Sequence, residues 1–276
     1  MQFLQRSPRE ILHRIGENEV TKLIKVGEEL VLFKIGYEKK KLIIDFLNGK
    51  PSEAALNYTQ NYVIEWFDLE SDLKPFYKMA SEDKLLKELV KKFHGYRIIG
   101  QPDLFESLVW AVLGQQINVQ FAYTIKQRFV EQFGEKLTLD NQNHYLFPTP
   151  EVVSTLTSES LLPLQFSRQK AAYTIGLGEV FASGKVSQEK LKGLSLVEAK
   201  EELMKIKGIG NWTANFALMK TFRYPDAFPL EDVAIHNAIK NLKKMKQKPT
   251  LDQVKRVFRK YKGWEAYATI YLWKSL

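Results

Sequence analysis

The sequence contains no cysteine. That absence excludes a disulfide framework, a thiolate zinc site and a cysteine nucleophile, and it suits a reducing cytosol. Long hydrophobic runs are missing too. No segment approaches the ~20 apolar residues of a membrane span, and the opening Met1-Gln2-Phe3-Leu4-Gln5-Arg6-Ser7-Pro8-Arg9 lacks the apolar core of a secretory signal. Histidine is sparse: His13, His94, His144 and His236 are scattered and make no metal-ligand set. Positive charge is in excess, with 41 Lys+Arg against 32 Asp+Glu for a net +9. That balance favours an anionic partner, either nucleic acid or an anionic membrane surface, and says nothing about fold. With 276 residues and 45% hydrophobic content, the chain can bury a proper core in one large domain or two.

The first part of the chain reads as strands. Leu30-Val31-Leu32-Phe33-Lys34-Ile35 is followed by a turn at Gly36, a Lys39-Lys40-Lys41 tip that reads as solvated surface, and Leu42-Ile43-Ile44-Asp45-Phe46-Leu47. Asn48-Gly49 is a turn signal. Residues 54–61 read as helix or turn and Tyr62-Val63-Ile64-Glu65-Trp66-Phe67 as a further strand, so a small α+β domain is expected over residues 1–70. From 71 to 276 the pattern is helical nearly throughout. Ser81-Glu82-Asp83-Lys84 reads as a helix start before an apolar stripe at Leu85, Leu86, Leu89, Val90 and Phe93. Pro102-Asp103 introduces the next helix, which runs into Leu113-Gly114-Gln115-Gln116-Ile117. Two glutamines directly after an apolar helix face fit ordinary cap hydrogen bonding. Phe147-Pro148-Thr149-Pro150-Glu151 opens another helix, and residues 156–182 read as short helices interrupted by Gly176-Leu177-Gly178. Near the end, two basic helices either serve solubility or face phosphate, and the aromatic stripe from Trp264 to Trp273 reads as core.

The chain is organised around residues 203–232. Helix formers over 197–206 lead to Gly208, placed where a helix needs a left-handed exit, and Trp212-Thr213-Ala214-Asn215-Phe216-Ala217-Leu218 restarts a helix after Gly210. An αα-hairpin that happens to use glycines accounts for this pattern. So does an anion site, in which N–H groups around Gly208, Gly210 and Ala214 face a phosphate at a helix N-terminus. A dinucleotide-binding turn fits worse, because helix precedes Gly208 and Thr213 stands where a third glycine belongs. Asp232, just ahead of Val233-Ala234-Ile235-His236, is a favoured N-cap on local grounds.

Taken together, Ile206-Lys207-Gly208-Ile209-Gly210-Asn211-Trp212-Thr213-Ala214 and Phe228-Pro229-Leu230-Glu231-Asp232 resemble the helix-hairpin-helix, Gly/Pro-rich loop and aspartate signature of the base-excision DNA glycosylases. Within that superfamily the chain looks most like the DNA-3-methyladenine glycosylase II branch. The resemblance covers roughly Trp66 to Trp273 and is weak before it. It implies a mainly α fold, with two helical lobes, a cleft between them and an N-terminal α+β domain of the TATA-binding-protein-like type. It also implies excision of alkylated purines from double-stranded DNA by a monomer in the bacterial cytoplasm, associated with the nucleoid. Asp232 maps to the catalytic acid; Trp212, Phe216 and Trp273 map to the base pocket, while Trp264 reads as core. Gly208, Gly210, Thr213 and Ala214 map to the phosphate grip, and Gln115 and Gln116 to the segment inserted into the duplex, where relatives carry an apolar wedge. A lysine nucleophile stands at the position of Trp212 in relatives that also cut the strand, so a monofunctional glycosylase is expected. No cofactor is required, and the cysteines of the iron–sulfur relatives are missing. The family hairpin binds a monovalent cation, Na+ or K+, through carbonyls that map to Met204, Ile206 and Ile209. Within the superfamily, the neighbouring branch that excises oxidised guanine is the alternative; outside it, a non-catalytic DNA-binding module is.

Overall fold

The computed structural model describes residues 3–39 and 41–276; Lys40 of the expected lysine tip, together with Met1 and Gln2, lies outside the described residues. In chain order the elements are β1 (His13–Ile15), β2 (Glu19–Val26), β3 (Glu29–Glu38), β4 (Lys41–Phe46), α1 (Glu53–Phe67), α2 (Lys74–Glu82), α3 (Lys87–Lys92), α4 (Leu104–Gly114) and α5 (Val119–Phe133). Then come β5 (Lys136–Leu139), β6 (Gln142–Tyr145), α6 (Pro150–Ser154), α7 (Ser158–Leu161), α8 (Arg168–Ala182) and α9 (Gln188–Leu191). The chain finishes with α10 (Leu196–Met204), α11 (Asn211–Thr221), α12 (Val233–Leu242), α13 (Leu251–Phe258) and α14 (Glu265–Trp273). The expected class, mainly α with strands concentrated near the N-terminus, is the one adopted. No helix of the described residues is long and apolar enough to cross a membrane.

Contacts divide the chain into two compact units, one formed by residues 1–63 and 109–186, the other by 64–108 and 187–276. In the first, β1-β2-β3-β4 form an antiparallel meander in sequence order. The β2–β3 register pairs Val26 with Glu29, so Gly27 and Glu28 make a two-residue turn, and Gly27 supplies the left-handed φ of +59° that such a turn requires. The strand continues through Gly36 to Glu38 rather than turning there. Val31, Leu32, Phe33 and Ile35 are buried, and Phe33 meets Tyr62 edge-on at 6.4 Å between ring centroids.

Three sequence expectations are corrected here. Residues 62–67 are not a strand but the end of α1: their β-branched and aromatic composition favours strand, yet Ala55, Thr59, Val63 and Trp66 recur at helical spacing and are buried. Ser52 starts that helix, its hydroxyl accepting the Ala55 N–H. Gly176 and Gly178 do not interrupt a helix but lie within α8. Gly178 serves close packing, since a Cβ there would stand 2.7 Å from the Ser154 nitrogen of α6. Ser81 and Glu82 end α2 rather than begin a helix, and Asp83 turns the chain, its carboxylate accepting the N–H groups of Leu85 (2.9 Å) and Leu86 (3.0 Å).

The second unit has an aromatic core. Phe76 lies 5.9, 5.7 and 5.3 Å from the rings of Trp264, Tyr267 and Tyr271. Each buried phenol finds an acceptor: Tyr267 donates to Asp68 (2.7 Å), Tyr261 to Asp83 (2.7 Å) and Tyr271 to the Phe93 carbonyl (3.0 Å). Burial pushes all three phenols above their ordinary range. Of the terminal stripe, only Trp273 turns out of this packing to a polar partner, described next.

Candidate active site

The hairpin begins with α10, fixed by a capping box between Ser195 and Glu198. Leu203, Ile206 and Ile209 are buried, which closes the turn from inside, and Gly208 takes a φ of +93° that a side chain would oppose. Gly210 is the N-cap of α11 and is exposed, with no side chain capping the helix. The expectation that the Ala214 N–H faces outward is corrected: it donates to the Gly210 carbonyl at 3.0 Å, and Ala214 is fully buried. Thr213 is likewise buried. The first-turn amides of Asn211 and Trp212, by contrast, have no carbonyl one turn back within the helix, and they point from its positive end.

From α11, Trp212 and Phe216 present stacked rings, 5.3 Å apart and 21° from parallel. Phe216 stands 6.3 Å from Trp273 of α14. Asp232 lies between the two indoles. Trp212 Nε1 donates to its Oδ2 at 3.0 Å and Trp273 Nε1 to its Oδ1 at 2.9 Å. The Ile235 N–H reaches Oδ1 at 3.0 Å, so Asp232 is also the N-cap of α12. Cap and candidate acid are thus the same residue. Three N–H donors fix the carboxylate against the edges of two indoles, and Asp232 is half-buried, leaving acceptor capacity open to another molecule.

Residues that the sequence reading passed over hold this group in place. Buried Asn215 accepts the Phe228 N–H at 3.1 Å and donates to the Asn211 carbonyl (2.9 Å) and side-chain oxygen (3.0 Å), tying the loop ahead of Asp232 to α11. Asn211 also donates to both oxygens of Glu231 (2.9 and 3.0 Å), which occupies that carboxylate. His236 spans two carbonyls, Leu230 at 3.0 Å and Pro249 at 2.9 Å, and so acts as a strut rather than a metal ligand. Among the described residues, no group of three His, Asp or Glu could hold a metal ion.

Gln115 and Gln116 belong to the other unit, in the turn between α4 and α5. Gln116 is exposed and takes a left-handed φ of +57°, which turns the chain sharply at the tip. Asn118 caps α5 through the Phe121 N–H at 2.9 Å. The carbonyls of Met204, Ile206 and Ile209 lie at the end of α10 and in the turn after it, and that of Ile206 accepts the Ile209 N–H at 3.1 Å.

Comparison with known proteins gives two family matches: HhH-GPD superfamily base excision DNA repair protein over residues 109–263, and 8-oxoguanine DNA glycosylase, N-terminal domain, over residues 11–108. A DNA-3-methyladenine glycosylase of Bacillus subtilis is 43% identical over 99% of this chain and 91% of its own length. A solved 3-methyladenine DNA glycosylase from Archaeoglobus fulgidus superposes with a TM-score of 0.86 at 22% identity, covering 99% of this chain and 92% of that one. The Schizosaccharomyces pombe 3-methyladenine DNA glycosylase, solved in complex with abasic DNA, gives a TM-score of 0.61 at 28% identity over 71% of this chain and 93% of its own.

Proposed function

The chain belongs to the HhH-GPD superfamily of base excision DNA repair proteins, and on that premise we propose that it hydrolyses the N-glycosidic bond of alkylated purines, chiefly 3-methyladenine, in double-stranded DNA. The observation that carries this reading is the Asp232 carboxylate held between the indole N–H groups of Trp212 and Trp273. Breaking the bond from base to deoxyribose builds positive charge on the sugar, and a fixed carboxylate stabilises that charge and orients the attacking water. The base leaves with the bonding electrons, water oxygen bonds C1′, and the water proton passes to Asp232 or solvent. A 3-alkylated adenine is cationic in DNA and leaves neutral, so no separate general acid is needed. Glu231, its carboxylate occupied by Asn211, accords with that.

The substrate base must first leave the stack, which costs a few kcal/mol and selects for weakened pairs. Trp212 and Trp273, both half-buried, offer electron-rich faces to a cationic base, each contact worth ~0.5–2 kcal/mol, and Phe216, buried and stacked on Trp212, backs the pocket. Gly208 and Gly210 let the DNA backbone approach, with the amides of Asn211 and Trp212 facing phosphate. Gln116, backed by Gln115, fills the gap left in the duplex. A monovalent cation suits the carbonyls of Met204, Ile206 and Ile209, which are hard, neutral oxygens at a helix end; it would brace the turn against phosphate. On the same proposal the protein acts as a monomer in the bacterial cytoplasm, on DNA of the nucleoid.

Trp212 spends its ring nitrogen on Asp232 and offers no amine for a Schiff base, which supports base release that leaves the abasic strand intact. The N-terminal match to an 8-oxoguanine glycosylase domain favours one second reading, excision of oxidised guanine. Mass spectrometry of bases freed from alkylated and from oxidised duplex DNA separates the two. Free 3-methyladenine is expected; free 8-oxoguanine alone, or a DNA adduct trapped by borohydride, would contradict the proposal, and duplex binding with no base release would reduce the protein to a binding module.

A further inference from the structure

Lys170 is a buried cation that the mechanism leaves unused. Lys170, in the first turn of α8, is 8% exposed, and its ammonium donates to the carbonyls of Val112 (3.0 Å), Leu113 (2.9 Å) and Gln115 (2.5 Å). Those carbonyls end α4, where a helix leaves its last C=O groups without intrahelical partners and carries its negative pole. The three N–H bonds of the ammonium meet three acceptors, so Lys170 is saturated by α4 and the residue beyond it. Burial draws the lysine pKa down to about 8, a cost that a merely space-filling residue would not incur.

The segment so held is the one that carries Gln115 and Gln116. Lys170 fixes its upstream end through the Gln115 carbonyl, and the Asn118 cap fixes its downstream end on α5. Between these anchors only Gln116 is exposed at a left-handed φ, with Ile117 half-buried behind it. Ser167, which caps α8 through the Lys170 N–H at 3.2 Å, sets where the lysine starts.

We propose that Lys170 is a positioning residue for DNA repair by this protein: its ammonium clamps the end of α4 so that the Gln115–Gln116 turn is preformed for insertion into the duplex. This rests on the reading of Gln116 as the inserted side chain. A preformed turn meets the gapped stack without first losing chain entropy, and misplacing it by about an ångström is the scale of error that costs large factors in rate.

The test is the ratio of base release from alkylated duplex to release from the same strand unpaired, where nothing need be inserted. In Lys170→Met that ratio is expected to fall about tenfold or more, and adding Gln116→Ala to it should lower the ratio by less than about threefold further, because both act on one step. A 2-aminopurine beside the lesion should brighten less in the Lys170→Met complex than in the parent complex, reporting poorer insertion. If Lys170→Met does not fold, Lys170→Gln retains two N–H donors and is expected to show the same sign. Duplex and single-strand release falling in equal proportion would overturn the proposal, since that is the mark of a merely structural residue. A Gln116→Ala protein with an undiminished ratio would remove the insertion reading and this proposal with it. Absence of any base release by the parent protein would instead overturn the proposed function itself.

Discussion

Replacing Trp273 by Phe probes the clamp on Asp232 while keeping an aromatic face in the pocket. The substitution removes one N–H···O bond, 2.9 Å long, and leaves Oδ1 with the Ile235 N–H alone. A hydrogen bond to a charged group is worth ~1.5–3 kcal/mol, or about 10–150-fold if wholly lost at the transition state. Asp232 is half-buried, so water replaces part of the bond, and the lower end, about tenfold, is expected. Trp212→Phe makes the matching cut at Oδ2 and should cost about as much. With both removed, only the protein's own helix cap holds the carboxylate, and losses near a hundredfold follow if the two bonds add. The assay is single-turnover release of methylated base from an alkylated duplex, with a thermal melt to establish that each variant is folded. A fall in the maximal rate, with little change in the DNA concentration needed, is the expected pattern. Folded single variants that both release base within about twofold of the parent would refute the argument.

Asn215→Leu leaves the Phe228 N–H without its acceptor and should destabilise the protein by ~1–3 kcal/mol, read by urea unfolding, while slowing base release because the Asp232 loop loosens. Acid stability should centre on the first unit. Burial alone would raise the Glu10 carboxyl, but the Lys126 ammonium at 2.7 Å, with His13, brings it down from 4.5 to about 2. Its stabilisation is therefore complete above pH 4.5 and is lost as pH falls toward 2. Burial also pushes His13 down from 6.5 to about 4, so the unfolded chain takes that proton first and stability declines between those values as pH drops. Glu10→Gln should flatten the limb below pH 4.5 and cost ~3 kcal/mol at neutral pH by stranding buried Lys126, both visible in melts across pH. Binding to an abasic duplex, followed by anisotropy, should weaken linearly on a log–log salt plot with slope about −0.9 per phosphate neutralised; a flat plot would deny the excess of Lys and Arg any part in binding.

Much of this was legible in the residues. Gly208 and Gly210 placed the hairpin and Asp232 read locally as a cap; the resemblance carried Asp232, Trp212, Phe216 and Trp273 to one group that the fold does bring together. What escaped is of two kinds, local signals outweighed by composition or setting and contacts between distant segments. Residues 62–67 look like strand by composition and become helix because their buried positions continue the period set from Ala55. The β5–β6 hairpin had a local signal in Asp140-Asn141, both left-handed at its turn, and was still missed inside a helical region. Asn215, His236 and Lys170 carry no motif at all. Each acts by reaching backbone atoms 13 to 58 residues away, a geometry that no period of two or 3.6 encodes.

The most direct measurement is base release by Asp232→Asn. Asparagine keeps the side-chain oxygen that caps α12, so the variant should fold, which a melt verifies. What it loses is the negative charge that the proposed mechanism sets beside the sugar. Release of 3-methyladenine from alkylated duplex is predicted to fall by at least about a hundredfold. Release at the parent rate from a folded Asp232→Asn protein would show that the charge between the two indoles does not drive the reaction.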